Sequence, residues 1–402
     1  MMDSHAQKKM RIAFVDVRFH SLYGAQQSLF TLVSNLESTS IEPILVTTGK
    51  GILVDKYRDA GIAVAVLPIH PSVNVFGGEV LRYSWLKKLR VAVELLRFNM
   101  KFMNWMRRNN IHMVYVNDLR AFTYVALATK LSRKPLLWYV RGEPPKSSRL
   151  VNLALSWSDR VIWIADSLQN SVLAHGLEIY ASKSRTLYTG FSFPQVCEGN
   201  DNRREIRSRY GIPFEVPVIG MVASIVPNKG HDVLIEVASQ LVSEHNCHFL
   251  FVGDAPPGYS EYESDLRKRI DRAGLNQYFH WVGFQKNVRP FYDAMDVLVL
   301  PSRSEGLPRV VIEGLSAGLP VVATNVGGTR DILVSQELGY LIEPENTTEL
   351  ACAVSNALRT GCGDRELSRK RAEYVRQRFS IEAFVDGFED IVREIAKDRP
   401  LS

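Results

Sequence analysis

Cysteine is scarce in this chain. Its 402 residues include four, Cys197, Cys247, Cys352 and Cys362, and no two form a Cys-x-x-Cys pair. That excludes a disulfide framework, and no Cys/His cluster has zinc spacing. The thiols are expected to be reduced and structural. No apolar run reaches the roughly 18–20 residues of a membrane span. Basic residues precede the first apolar stretch, but Asp16 interrupts it within about six residues, as a first buried strand would and a signal peptide would not. No Asp-x-Asp pair is present to clamp a metal. No Gly-x-Gly-x-x-Gly follows a strand candidate, which argues against a dinucleotide oxidoreductase. Charge of one sign is also limited. The formal net charge is +6, spread over the whole chain, which speaks against a nucleic-acid binder.

Apolar residues make up 46% of the chain and charged residues 23%, ordinary globular values that provide ample core. Short apolar runs alternate with longer amphipathic stretches. The strand candidates are Arg11–Asp16, Pro43–Thr47, Ala63–Leu67, Met113–Val116, Leu136–Val140 and Val161–Ala165. A second series follows at Val218–Val222, Phe249–Val252, His280–Val282, Val297–Leu300, Val321–Ala323 and Tyr340–Ile342. Strand–helix alternation implies parallel sheets covered on both faces, and two series imply two doubly wound domains. The alternation lapses over Gly190–Pro217, rich in charge, Gly and Pro, where a linker is expected. The expected domains are 1–195 and 196–380, with ligand held in a cleft outside the carboxyl ends of the strands.

The most informative stretch runs from Pro301 to Thr324. Ser302–Leu307 is expected as a loop at the carboxyl end of strand Val297–Leu300, with Pro308 in the first turn of the next helix. The free amides of that turn can receive an anion. Glu305 precedes the helix and Glu313 lies inside it. Carboxylates so placed can accept bonds from the vicinal hydroxyls of sugar or ribose. The plain alternative is that Glu305 caps the helix and Glu313 is solvated.

These residues resemble a known signature. Glu305-x7-Glu313, then Ala317-Gly318-Leu319-Pro320-Val321 and Val326-Gly327-Gly328, is similar to the retaining glycosyltransferases of GT-B fold, family four. Gly220–Asp232, Phe251–Asp254, Val282–Phe284 and Val299–Ser302 resemble further segments of that family. The likeness is dense over residues 215–345 and thinner before them. It implies an α/β fold of two doubly wound Rossmann-like domains facing across a cleft, an acceptor-binding domain over 1–195 and a nucleotide-sugar-binding domain over 196–380. It also implies that a C-terminal helix over 381–402 crosses back to the first domain.

Position by position, the resemblance implies that Lys229 meets the donor diphosphate, a cation that would stabilise a departing nucleoside diphosphate; an exposed helix-start lysine is the alternative. Glu313 would hold ribose hydroxyls and Glu305 hydroxyls of the transferred sugar. The backbone of Gly306 and Leu307 would approach sugar and phosphate, and the region of Phe284 and Val288 would bound the base. Two positions depart from the family. Ser224 stands where an arginine is common, and Arg141 where a histidine often contacts the donor sugar. Arg141 could replace the lost cation, bind an acidic group, or pair with Glu143. Gly24 opens a helix whose amides could face the diphosphate; glycine turns before helices are common in any fold.

The activity implied is transfer of a sugar from a nucleoside-diphosphate sugar, UDP before GDP, to a glycan or lipid-linked acceptor of cell-surface polysaccharide or lipopolysaccharide, without a required metal or other cofactor. A sugar-nucleotide epimerase or hydrolase of the same fold, or an inactive nucleotide-sugar-binding protein, is the alternative. Residues 82–108 carry eight basic residues against Glu94. With their apolar faces they suit an anionic membrane surface, or a core helix with one solvated face. A cytoplasmic location is expected, and the membrane reading of this helix would put the chain peripherally at the inner face of the membrane. His231 and His280 lack partner spacing and read as structural.

Overall fold

A computed structural model describes residues 9–20, 22, 24–36, 40–73, 84–142, 144, 148–174, 177–193, 201–360 and 363–399. The chain divides into two compact units. One comprises Met1–Ile164, Gln169–Gly190 and Ile381–Ser402, the other Ala165–Leu168 and Phe191–Ser380.

The first unit is built on a sheet of seven parallel strands: β1 (Met10–Val15), β2 (Ile41–Thr47), β3 (Ala63–Val66), β4 (Met113–Val116), β5 (Leu136–Val140), β6 (Arg160–Trp163) and β7 (Ser184–Thr186). Their spatial order is β3-β2-β1-β4-β5-β6-β7. Central strands β4 and β5 are continuous apolar runs, and β1 is one from Ile12 onward, as strands covered on both faces must be. Register pairs Ile12 with Met113 and Val114 with Leu136. The helix Ile381–Asp398 belongs to this unit and buries Phe384, Phe388, Ile391 and Ile395. Phe388 packs on the rings of Phe14 and Tyr115.

The second unit has six parallel strands: β8 (Val218–Val222), β9 (His248–Val252), β10 (Phe279–Gly283), β11 (Val297–Leu300), β12 (Val321–Thr324) and β13 (Gly339–Ile342), in the order β10-β9-β8-β11-β12-β13. Its core joins Ile219, Phe249, Phe251, Val299 and Val322 to helix residues Leu234, Leu241, Leu266 and Val354. In both sheets the strand order reverses beside the first strand, between β1 and β4 and between β8 and β11. Such a switch point opens a crevice at the strands' carboxyl ends.

Three expectations need correction. Gly190–Pro217 is not a bare linker: it contains the helix Asp201–Arg209. That helix is too polar to show apolar periodicity, because its main anchor is a buried arginine. Arg207 donates to the carbonyls of Ala294, Phe214 and Val216 and pairs with Asp296 at 2.6 Å. Residues 194–200 lie outside the described residues. Pro308 is the residue before the helix Arg309–Ser316, not within its first turn. His280 does have a partner: its ring nitrogen meets that of His248 at 2.8 Å across the β9–β10 pair. Cys247 is buried and Cys352 exposed; Cys197 and Cys362 lie outside the described residues.

Candidate active site

In the second unit, the loops after β8, β11 and β12 meet at the switch point. The chain leaves β8, makes a turn over Pro227–Lys229 and enters the helix His231–Glu236. Gly230 sits between them at φ 74°, and a Cβ there would lie 2.1 Å from the Pro301 carbonyl oxygen. Only glycine satisfies both the backbone angle and the contact. The loop after β12 makes the same demand: Gly327 has φ 52°, and its Cβ would fall 1.9 Å from the Glu305 carbonyl oxygen. The Gly328 amide donates to the Gly306 carbonyl at 2.6 Å. The loop after β11, carrying Glu305 and Gly306, is therefore tied to the loop on one side and abuts Gly230 on the other.

Arg303 completes the tie. Its guanidinium donates to both Asp232 oxygens, at 3.1 and 2.9 Å, to Glu345, and to the Pro227 carbonyl. Its amide donates to Asn228 O at 2.8 Å, and the Asn228 side chain donates back to Ser304 O at 2.9 Å. Burial opposes the charge on Asp232, but bonds from Arg303 and Tyr262 outweigh it and hold this carboxyl below its ordinary pKa. In this frame Lys229 Nζ meets Glu305 Oε1 at 2.7 Å, the lysine side chain 27% exposed and the glutamate 10%. Lys229 is thus not a loose surface lysine. Nor does Glu305 cap the helix Arg309–Ser316, which has no side-chain cap.

Glu313 is held by two donors. Tyr292 Oη donates to Oε2 at 2.9 Å and Arg309 Nε to Oε1 at 2.6 Å. Tyr292 is buried, which drives its pKa well up and keeps the phenol a donor. It sits on the helix Arg289–Ala294, whose N-cap is Val288. Val288 is half-buried, Phe284 is 71% exposed on the loop after β10, and Ser224 is exposed after β8. Gly306 and Leu307 are half-buried beside Gly327 and Gly328.

In the first unit, Arg141 follows β5 and sits in a polar cluster at the ends of β1 and β4. Its guanidinium donates to Asn117 Oδ1 at 2.8 Å, Ser28 Oγ at 2.8 Å and Tyr115 Oη at 3.3 Å, and stacks 4.1 Å over the Tyr139 ring. Burial works against the charge, but Tyr115, Tyr139 and Asp16 outweigh it and Arg141 remains cationic. Asp16 is fully buried and accepts from Asn117 at 2.7 Å, Gln26 at 3.1 Å and the Arg18 amide at 2.8 Å. Burial lifts its pKa above the ordinary carboxylate value, and Asp118 adds to the lift. Arg141, Asn117, Gln26 and Trp138 line a cavity of about 330 Å³. Glu143 lies outside the described residues. Gly24 is exposed at the start of the helix Gly24–Ser34, with open space where a Cβ would stand. Among the described residues no group of three or more His, Cys, Asp or Glu side chains could hold a metal ion.

Arg303, Asp232, Tyr292, Asp16 and Asn117 do not stand out in the sequence as site residues. The one signal available was a polar residue directly after an apolar strand, which Asp16 and Asn117 both show.

Two doubly wound parallel sheets, each with a polar cluster at its switch point, match the architecture of the GT-B fold. Solved structures agree. HepE of Anabaena, in a crystal structure with UDP, superposes with a TM-score of 0.78 at 21% identity, covering 96% of this chain and all of that one. The profile of the family "Glycosyl transferases group 1" matches residues 202–378. The alpha-D-kanosaminyltransferase of Streptomyces kanamyceticus is 31% identical over 66% of this chain and 68% of its own. The lipopolysaccharide core biosynthesis mannosyltransferase LpsB of Rhizobium meliloti is 26% identical over 44% of this chain and 54% of its own. The chain belongs to the group 1 glycosyltransferases.

Proposed function

We propose that the protein transfers a sugar, with retention of anomeric configuration, from a nucleoside-diphosphate sugar to a glycan or lipid-linked acceptor in cell-surface polysaccharide or lipopolysaccharide biosynthesis. The observation that carries this reading is the 2.7 Å Lys229–Glu305 pair at the carboxyl ends of β8 and β11. A cation and a carboxylate there match the two ends of the bond to be broken. Lys229 meets the diphosphate and, with Ser224 and the backbone of Gly306 and Leu307, stabilises the charge that grows as the sugar–phosphate bond lengthens. Glu305 exchanges its lysine partner for hydroxyls of the donor sugar. Glu313, already oriented by Tyr292 and Arg309, receives the ribose hydroxyls, and Phe284 and Val288 bound the base.

The acceptor oxygen attacks the anomeric carbon on the face that the diphosphate leaves. The departing phosphate oxygen takes the acceptor's proton, so no enzyme nucleophile or added base is needed. Fixed cations and amides carry the charge, and turnover requires no divalent metal. UDP-sugar is the first donor and GDP-sugar the second; the UDP held by HepE favours the first. In the first unit, the helix start at Gly24 offers amides to a phosphate, and Arg141 binds an acidic group of the substrate. The reaction is placed in the cytoplasm, at the inner face of the membrane.

The test is product analysis with isotope-labelled UDP-sugars and an oligosaccharide acceptor in EDTA. A new glycosidic bond of the donor's configuration supports the reading. Free sugar or an epimerised nucleotide sugar as the sole product assigns the alternative activity. Turnover abolished by EDTA and restored by metal overturns metal independence.

A further inference from the structure

The helix Trp85–Arg108 in the first unit carries seven basic residues against one acidic, Glu94. Its sequence shows two apolar faces, and only one of them is covered. Phe98, Asn99, Phe102 and Met106 are buried. Phe98 packs on Tyr124, and Asn99 accepts from the Ala128 amide at 2.8 Å. Trp85, Leu86, Leu89, Val93, Leu96 and Met100 are all exposed, from 40% at Val93 to 72% at Trp85. At 3.6 residues per turn these six fall within an arc of about 100°, on a stripe about 22 Å long. Exposed apolar residues gathered this way are not the scattered singles of an ordinary surface.

Charge flanks the stripe. Arg90, Arg97, Lys101 and Arg108 are exposed and fall within about 40° of one another, directly beside the apolar arc. The polar rail is therefore almost wholly cationic, with Glu94 held by Arg97 at 2.7 Å. Among the described residues no helix is long and apolar enough to cross a membrane.

We propose that this exposed face is a docking surface for an anionic lipid bilayer, with the helix lying in the interfacial plane. The apolar arc enters the boundary between headgroups and acyl chains, while the basic rail stays at the headgroups. Charge complementarity selects this occupant. Two copies of the chain packed face to face would bring together two helices that each carry seven basic residues against one acidic, and like charges would oppose the contact. The inference stands apart from the donor site, since every residue it uses lies outside the candidate active site.

The test is co-sedimentation with vesicles of phosphatidylcholine, alone and with phosphatidylglycerol. The wild type binds the anionic vesicles, and binding weakens as salt is added. Arg90→Gln/Arg97→Gln/Lys101→Gln lowers the partition coefficient about a hundredfold, near fivefold per charge. Leu89→Ser/Leu96→Ser lowers it at least about a hundredfold. Both sets alter exposed side chains, and unchanged melting curves and nucleotide-induced thermal shifts confirm that they fold. In the wild type, a brominated phosphatidylcholine quenches tryptophan emission. Trp85→Leu, which keeps an apolar side chain, retains binding and loses most of the quenching. Absence of binding to anionic vesicles overturns the proposal. So does equal binding of wild type and variants, equal binding to neutral vesicles, or a dimer that Leu89→Ser/Leu96→Ser dissolves.

Discussion

Lys229→Met separates the two roles that the Lys229–Glu305 pair can have. Removing one partner of a buried pair costs about 3–5 kcal/mol and of an exposed pair under about 1 kcal/mol. With side chains 27% and 10% exposed, this pair lies between those limits, and the expected loss is about 2 kcal/mol. For a unit of this size that lowers the melting temperature by about 4–8 °C. Most of the loss comes from the glutamate left without a partner. Glu305→Gln in the Lys229→Met background removes that stranded charge and recovers about 1–2 kcal/mol, which a double-mutant cycle of melting curves measures. Turnover behaves differently. Loss of a fixed cation on the leaving group lowers kcat/KM by about 10²–10³. The double variant does not recover it, because both groups act on substrate. A double variant that regains kcat/KM together with stability would refute the reasoning and leave the pair a structural ion pair.

Tyr292→Phe keeps the ring and removes the hydroxyl that holds Glu313 Oε2; nucleotide affinity should fall about tenfold in calorimetric titration while the fold persists. Gly230→Ala and Gly327→Ala combine positive φ with backbone oxygens 2.1 and 1.9 Å from the new carbon, so each should cost well over 2 kcal/mol in denaturant unfolding. Gly274→Ala, with φ 68° and open space, should cost only about 1–2 kcal/mol. His231 is buried edge-on to Phe251, and burial pushes its pKa down to about 4. The folded state therefore binds its proton less readily than the unfolded state does. The resulting stability is present above about pH 6.5 and is lost as pH falls towards 4, by about 3 kcal/mol. His231→Phe should flatten that part of the pH–stability curve.

The central strands are legible in the sequence because continuous apolar runs leave little choice; β4, β5, β8 and β11 have the bounds their residues suggest. The missed strand, β7, is Ser-Arg-Thr at a sheet edge with only Ser184 buried, so no apolar run marks it. The missed helix Asp201–Arg209 folds around the bonds of Arg207, a kind of anchor that hydropathy counts as solvated. At the candidate site, Glu305, Glu313 and Lys229 stand out through their spacing and resemblance. Their supports do not, because the contacts join residues far apart in sequence: Arg303 to Asp232, Tyr292 to Glu313, Arg141 to Ser28. The basic helix is legible as amphipathic, but only the fold distinguishes the apolar face in the core from the one left bare.

The most direct test of a nucleoside-diphosphate site at β8 and β11 is a thermal-shift panel of the purified protein with UDP, GDP, ADP, CMP and NAD in EDTA. A ligand at a hundredfold its Kd stabilises by about 2.7 kcal/mol. A shift selective for one nucleoside diphosphate, UDP first, and lost in both Lys229→Met and Glu313→Gln, is the expected result. A shift with none of them, or one that survives both substitutions, would contradict the assignment of this site.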